Sequence, residues 1–515
     1  MFCNFLIILG VFGALLATKF LAHQVSVRQA LRHVPGPRRS SLLWGDEWLL
    51  YNSAPGIHYA RWHKQYGKVL KFTGALGHPV LSITDPKAIT YILSEAIFDF
   101  PKPKGVRAWF KATLGEGILW VEGREAHERQ RRTLAPALRQ VHRFSVRNFM
   151  PIFYETSAKI ASEWTNIVEN SGSDEAEIEI TKWAGRFALD TIGRAAFSYD
   201  FDCLSGGSCT LAESLDGLTN NENKCSSFYM RALFWLFPSI LMIGEKGEMI
   251  RRSKAELGEI SLKMWADAKA TGDVNCKNLM SIILRADTDC STHQMNEAQL
   301  VAQMRTTISA AFEPVSAIIA WILYELALDI QFQAKLREEV IADGCKDFSY
   351  DGLQSSLPLL DATLREVLRL HPPILENHHE AAKTISVPLS EPIQGTSEAH
   401  IVIPKGTILE IPVNVVQTDP DVWGSDAVAF RPERWLERKK HGIRHGREIL
   451  AFSEGPRSCI GQTFALCEVK VVVITLLRQF SFRCPYEIEP FQSFVVRPRV
   501  KGHATSSLPL LIQKI

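Results

Sequence analysis

The sequence predicts a mainly α-helical protein with small β-sheets. Three observations carry that reading. Apolar residues recur at helical spacing along most of the 515-residue chain. Strand-like runs are few and short. No Ser/Gly-rich or Pro-rich linker and no internal repeat divides the chain, so one large domain with one large core is expected. The composition, 46% hydrophobic and 22% charged, is that of an ordinary globular protein. A net charge of +2 gives no bulk case for nucleic-acid binding. The ten cysteines lack paired or zinc-type spacing, except that Cys203 and Cys209 share a small loop, and there is no Asn-x-Ser/Thr sequon. Both suit a reducing, cytosolic setting.

The first element is "FCNFLIILGVFGALLATKFLA", Phe2 to Ala22, apolar but for Asn4, Thr18 and Lys19. As a helix it spans roughly 30 Å, one bilayer core. Basic residues (Arg28, Arg32, Arg38, Arg39) follow it and no charged side chain precedes it, so the positive-inside rule puts the rest of the chain in the cytosol. A cleaved signal peptide is the alternative, but the run has no basic start and a poor cleavage site. The expected organisation is therefore a transmembrane anchor over 1–23, a basic, proline-rich hinge over 24–40 and a catalytic domain over 41–515. Within the hinge, "HVPGPRRS", His33 to Ser40, reads as a stiff, non-helical spacer.

Helical patterns follow at 55–66, 86–95, 122–138, 150–170, 180–197, 251–270, 294–328, 331–341, 357–370 and 462–479. Strand-like runs lie at 69–74, 79–84, 400–404, 408–413 and 508–513, with most of the hairpin material after residue 380. The 122–138 pattern places His127 and Arg131 at i, i+4 on one face. The 294–328 pattern contains "AAFEPVSA", Ala310 to Ala317, where Pro314 removes a backbone donor and crowds the carbonyl of Ala310. That proline costs about 3 kcal/mol in a helix interior, so a purpose for it is expected. The 357–370 pattern sets Glu366 and Arg369 at i, i+3 and ends at "HPP", His371 to Pro373.

The richest chemistry lies in "FSEGPRSCIGQTFALCEVK", Phe452 to Lys470. Its glycines and proline forbid a helix up to Gly461, and a helical pattern starts near Gln462. Cys459 thus stands just before a helix N-terminus, where the dipole and free N–H groups favour a thiolate. An inert buried cysteine is the alternative. With Arg457 two residues away, and with Gly455 and Gly461 letting the backbone approach something flat, an anionic sulfur ligating a metal fits better.

This stretch resembles the haem-binding loop of cytochromes P-450, with Phe452, Gly455, Arg457, Cys459 and Gly461 in place. "LREVLRL" resembles the family's Glu-x-x-Arg pair through Glu366 and Arg369, and "FRPERW" supplies Arg434, the third member of that ion-pair network. "WVEGREAHERQRRTLAPAL", 120–138, resembles the segment whose helix reaches the haem propionates. The nearest flavour is that of the fungal microsomal enzymes of secondary metabolism. The resemblance implies the P-450 fold, haem b with Cys459 as the axial iron ligand, and propionate contacts from His127, Arg131 and Arg457. Where the family usually has an arginine, this chain has His379, which implies a weaker or pH-dependent contact.

The same resemblance places the 294–328 helix over the haem. Its usual pattern there is small-small-x-acid-Thr. This chain reads Ala310, Ala311, Phe312, Glu313 and then Pro314 in place of threonine, so distortion is expected at Pro314, and Glu313 is expected to feed protons through water without the threonine hydroxyl. The substrate pocket is expected from Trp109, Phe110, Ile118, Leu119, Ile308, Phe312, Ile374 and Leu375, completed near Thr505 to Leu508. That lining is apolar and aromatic, which suits a lipophilic, terpenoid-like small molecule. Implied partners are an NADPH-dependent cytochrome P-450 reductase, with cytochrome b5 as a second donor, on the endoplasmic-reticulum membrane. Arg124, Arg129, Arg132, Arg438, Lys439, Lys440 and Lys470 are the expected basic docking face. Two alternatives stay open on these residues: a haem-thiolate isomerase, dehydratase or peroxide-using enzyme, and a non-catalytic haem- or lipid-binding relative.

Overall fold

The computed structural model describes residues 22–138, 146–205, 209–220, 232–271, 295–342, 346–440, 449–492 and 494–515, with residues 18, 207, 228, 279–281 and 344 between them. Most of the expected anchor, residues 1–17 and 19–21, lies outside the described residues. The described helices of ten residues or more are α1 (Ile57–Tyr66), α2 (Lys104–Thr113), α3 (Arg124–Leu138), α4 (Val146–Asn170), α5 (Ile180–Phe197), α6 (Thr210–Thr219), α7 (Gly244–Thr271), α8 (Glu297–Leu328), α9 (Ile330–Ile341), α10 (Pro358–Leu370) and α11 (Gln462–Leu477). The strands are β1 (Val69–Thr73), β2 (Pro79–Ile83), β3 (Glu175–Glu179), β4 (Glu376–Glu380), β5 (Ile385–Pro388), β6 (His400–Ile403), β7 (Ile408–Pro412), β8 (Phe480–Arg483), β9 (Ile488–Gln492), β10 (Val496–Val500) and β11 (Pro509–Lys514). They form four small sheets, ordered β1-β2-β7-β4, β3-β11-β8, β9-β10 and β5-β6. The mainly helical fold with small sheets is the one the sequence predicts.

The largest core cluster joins α4, α5, α8 and α11. α11 is buried almost all round, from Cys467 to Leu477, which explains its continuous valines and leucines. α8 begins with a reciprocal capping box, Asn296 with Gln299, which satisfies free N–H groups at its first turn. Among the described residues α8 is the one helix long and apolar enough to cross a membrane, and it is mostly buried within the protein. It is a core helix.

α8 continues as one helix through Pro314. The flanking residues explain how the proline is held. Phe312, Val315, Ile318 and Ile319 are buried against the core. Gly185 of α5 makes room for Phe312: a Cβ there would meet the ring at 2.8 Å. Packing of this face carries the helix through a locally unfavourable residue.

The segment expected as a hinge lies against the body rather than apart from it. Val27, Leu31 and Val34 are buried in a core cluster with Val69 and Leu81. Lys71 N–H donates to the Pro35 carbonyl at 2.9 Å, and Gly36 sits so close to the Lys71 carbonyl that a Cβ would overlap it. His33–Ser40 is non-helical, as its prolines require. Cys203 and Cys209, the two cysteines that share a small loop, are joined as a disulfide between the end of α5 and the start of α6.

Candidate active site

The loop before α11 is built around Cys459. A short 3-10 turn, Gly455–Arg457, precedes it, and Gly461 caps α11. The Cys459 N–H donates to the Phe452 carbonyl at 2.9 Å, closing the loop on itself. Gly455 has φ +70°, and a Cβ there would meet the Leu93 carbonyl at 2.2 Å, so only glycine fits. Cys459 is exposed and lines a cavity of about 950 Å³. Phe452, Arg457 and Gly461 line the same cavity.

The loop is anchored from behind by buried charges. Glu366 and Arg369 are fully buried, and Arg434 nearly so. Glu366 Oε1 accepts from Arg369 Nη2 at 2.8 Å and Arg434 Nε at 2.9 Å; its Oε2 accepts from Arg369 Nε and Trp435 Nε1, both at 2.9 Å. Arg369 also donates to the Gln417 carbonyl at 3.1 Å. The Gln417 amide donates to the Leu368 and Arg369 carbonyls and accepts from Leu450 N–H, at the head of the Cys459 loop. Gln417 is the link that the sequence did not reveal, because its partners lie far away along the chain.

The other wall of the cavity is cationic. Arg457 Nη2 and Lys102 Nζ both donate to the Glu122 carboxylate, the latter at 3.1 Å. Arg131 donates to Ser458 Oγ at 3.2 Å. His379, on β4, donates from Nδ1 to the Phe100 carbonyl at 2.8 Å. Burial, reinforced by Arg457 and Lys102, pushes both His127 and His379 down to about 4. Burial pushes Lys102 down to about 8, partly offset by Glu122. Lys102 and Glu122 were missed at the sequence level: the Glu122 carboxylate that Lys102 shares meets Arg457 from 335 residues away, too far for any spacing rule.

His127 Nδ1, His379 Nε2 and Arg457 Nε and Nη1 are buried with no hydrogen-bond partner in the structure. Buried polar groups are ordinarily paired, and leaving them unpaired costs about 1–3 kcal/mol each. These atoms border the cavity that also holds Cys459, and a flat group bearing carboxylates would pair them. The residues present therefore fit haem: a thiol at a helix N-terminus for the iron, small Ala310 and Ala311 on the α8 side, and an excess of cationic groups over the single carboxylate of Glu122 for the propionates.

The remaining expected residues divide. Trp109, Phe110, Ile118, Leu119, Ile374, Leu375, Ala310, Glu313 and Pro314 all line the cavity. Ile308 and Phe312 do not. They sit four apart on the opposite stripe of α8, buried in the core, while Thr306, Ala310, Glu313 and Pro314 face the cavity. The C-terminal contribution comes from Glu489–Gln492, Phe494, Arg499 and Ala504 rather than Thr505–Leu508. Leu508 is buried in the core, its N–H held by Glu179. Phe494 stacks on Trp109 at 6.3 Å and meets Phe110 edge-on, tying α2 to the C-terminal hairpin.

Glu313 is buried; its Oε1 accepts from Thr219 Oγ1 at 2.8 Å and faces Arg497 at 3.6 Å. Burial raises its carboxyl above the usual range, against the pull of Arg497 and Thr219. The expected basic face is smaller than its residue list. Lys470 is buried, with Nζ donating to Asp361 and the Leu353 carbonyl, and Arg129 is half-buried with its Nε enclosed. Arg124 and Arg132 are exposed but share Glu128. The side chains of Arg438, Lys439 and Lys440 lie outside the described residues.

The chain matches the family model "Cytochrome P450" over residues 34–503. It is 32% identical to cytochrome P450 monooxygenase claO of Ampulloclitocybe clavipes, over 93% of this chain and 93% of the relative. It is equally 32% identical to claQ of the same fungus, over 93% and 92%. Cytochrome P450 monooxygenase 205 of Postia placenta is 30% identical over 99% of this chain and 98% of the relative. These matches show that the chain belongs to the cytochrome P450 family and is a haem-dependent monooxygenase, and the cavity beside Cys459 has a lining that fits haem.

Proposed function

We propose that this monooxygenase inserts oxygen into a lipophilic small molecule of terpenoid-like kind, in secondary metabolism, with electrons delivered by an NADPH-dependent cytochrome P-450 reductase. The observation that carries the substrate class is the cavity, about 950 Å³ with the haem space included, lined by Trp109, Phe110, Leu119, Ile374 and Phe494 and continuous with Cys459. Bound haem supplies O₂ activation, with a thiolate ligand favouring O–O cleavage. The chain does the rest. The α11 N-terminus stabilises the Cys459 thiolate. His127, Arg131, His379 and Arg457 would hold the propionates of bound haem. Trp109, Phe110 and Phe494 exclude water from the reacting carbon. Glu313, its carboxyl raised above the usual range by burial, lies beside the cavity where it can pass a proton. Pro314 offers no hydroxyl to relay it, and the Ala310 carbonyl, without an N–H from Pro314, is an acceptor for a water that can.

The proposed setting is the endoplasmic-reticulum membrane, with residues 1–23 as a single-pass anchor and the domain in the cytosol. Two features support it: the apolar run Phe2–Ala22 and the basic residues that follow it. Arg124 and Arg132 on α3 are the exposed cations of the proposed docking face. Deleting residues 2–21 should release the protein from microsomes and retain haem, and protease outside sealed microsomes should digest the body.

The reaction is tested by turnover under ¹⁸O₂ with reductase and NADPH, on the wild type and Pro314→Thr. The proposal expects labelled product from both and less hydrogen peroxide per NADPH in the variant. Unlabelled product formed without NADPH would assign the isomerising or peroxide-using chemistry instead.

A further inference from the structure

The cavity wall away from Cys459 carries few ionised side chains, and nearly all are matched. Glu489 takes Arg499 Nε and Nη2 at 3.0 and 2.6 Å. Glu313 faces Arg497. Glu376 lies 3.7 Å from His378. Lys246, in the first turn of α7, is different. It lines the cavity and is 8% exposed, so its ammonium is removed from bulk water. Its Nζ donates to one acceptor, the Leu218 carbonyl on α6, at 3.1 Å. Among the described residues no carboxylate comes within 4 Å of it. Its sequence neighbour Glu245 acts on it only through space. An ammonium has three donors, and burying one with a single neutral partner is costly unless something else completes it.

The surroundings say what that is. Leu218, Leu241 and Ile250 form a small apolar cluster packed on Trp109 and Phe234. Ser253, Leu257 and Thr113 line the same cavity. The site is a cationic donor in an apolar, aromatic roof. From this we infer that Lys246 receives the carboxylate of the substrate, so that the enzyme selects lipophilic carboxylic acids over their neutral esters and alcohols. This rests on the reading of the cavity as a lipophile site, and it deepens that reading to a chemical class. The ammonium-carboxylate contact orients the molecule: the acid end is held under α7, and the apolar remainder extends into the part of the cavity lined by Leu119, Ile374 and Leu375. Recognition of a charge by a buried lysine also discriminates well, because a neutral analogue leaves the ammonium uncompensated.

The test is equilibrium binding to the haem-loaded ferric protein, read by quenching of cavity tryptophan fluorescence and by perturbation of the haem band. The probes are matched pairs: dodecanoic acid and methyl dodecanoate, then abietic acid and methyl abietate. The wild type should bind at least one acid roughly tenfold or more tightly than its ester. Lys246→Met keeps the apolar stem and should abolish that preference, leaving ester affinity within about twofold. Lys246→Arg should retain most of it. Esters binding as well as acids across the panel would overturn the inference, as would an acid preference that survives Lys246→Met. Loss of fold in Lys246→Met would show as loss of ester binding, and Lys246→Gln then takes its place. The binding measurement needs no turnover, so its failure is separate from failure of the ¹⁸O₂ experiment.

Discussion

Two groups of buried charge serve the Cys459 loop, and they are finished differently. Around Glu366 every strong partner is present: Arg369, Arg434 and Trp435 fill both carboxylate oxygens, and the spare donors of Arg369 reach backbone carbonyls. Around Arg457 the donors outnumber the acceptors. Glu122 serves Arg457 and Lys102 together, and His127, His379 and Arg457 retain buried atoms with no partner in the structure. A completed network holds a loop in place. An incomplete one, at the edge of a cavity, is completed by a ligand. The difference teaches how to read buried polar residues: whether they are finished matters more than how many there are.

The comparison breaks most visibly on the completed side. Arg434→Ala leaves Glu366 buried and short of a partner, which should destabilise the fold by about 3–5 kcal/mol, whether or not haem is bound. Chemical denaturation of apo and holo protein reads this directly. Arg457→Ala is the counterpart. It removes a donor that the protein itself does not fully satisfy and leaves Glu122 paired with Lys102. The apo fold should lose far less stability than in Arg434→Ala, while haem transfer to a scavenger protein should accelerate by roughly tenfold or more. Equal loss of apo stability in the two variants would erase the distinction.

A smaller effect separates the histidine from the arginine it replaces. His379 Nδ1 donates to the Phe100 carbonyl, so in the neutral ring Nε2 carries no proton and cannot donate to a carboxylate. Its pKa without haem is about 4. A propionate against Nε2 favours the imidazolium, so the haem-bound pKa is higher than the haem-free one. Between those two values the bound state holds more protons, and haem affinity rises as pH falls. Haem release should therefore slow as pH is lowered through that interval toward about 4, and His379→Arg should flatten that slope. Identical slopes in both proteins would remove His379 from the propionate contact.

Much of the fold was legible because its signals are local. Helical periodicity located most of the long helices, and alternating apolar runs located β1, β2, β6, β7 and β11. α2 was missed because "KGVRAWFKAT" carries a glycine at its second position and has no side-chain cap. β3, "EAEIE", is polar on three of its positions and is a strand because β11 pairs with it. In the site, the Cys459 loop and the Glu366–Arg369 pair were legible because their residues are close in sequence. Lys102, Glu122, Gln417 and Lys246 were not, since each acquires its meaning from a partner or a cavity made by distant segments. Ile308 and Phe312 were assigned to the pocket by family position, whereas the stripe of α8 that carries them packs into the core. Lys470 was misplaced because a lysine was taken as exposed, whereas Asp361 draws it into the core.

The central claim is that the cavity beside Cys459 holds haem with that sulfur as its iron ligand. It is tested most directly by the carbon-monoxide difference spectrum of the dithionite-reduced protein, comparing the wild type with Cys459→Ser. The wild type should show the red-shifted Soret band of a thiolate-ligated haem, and the variant should lose it even where haem is still bound. A Cys459→Ser protein that keeps the band would contradict the account.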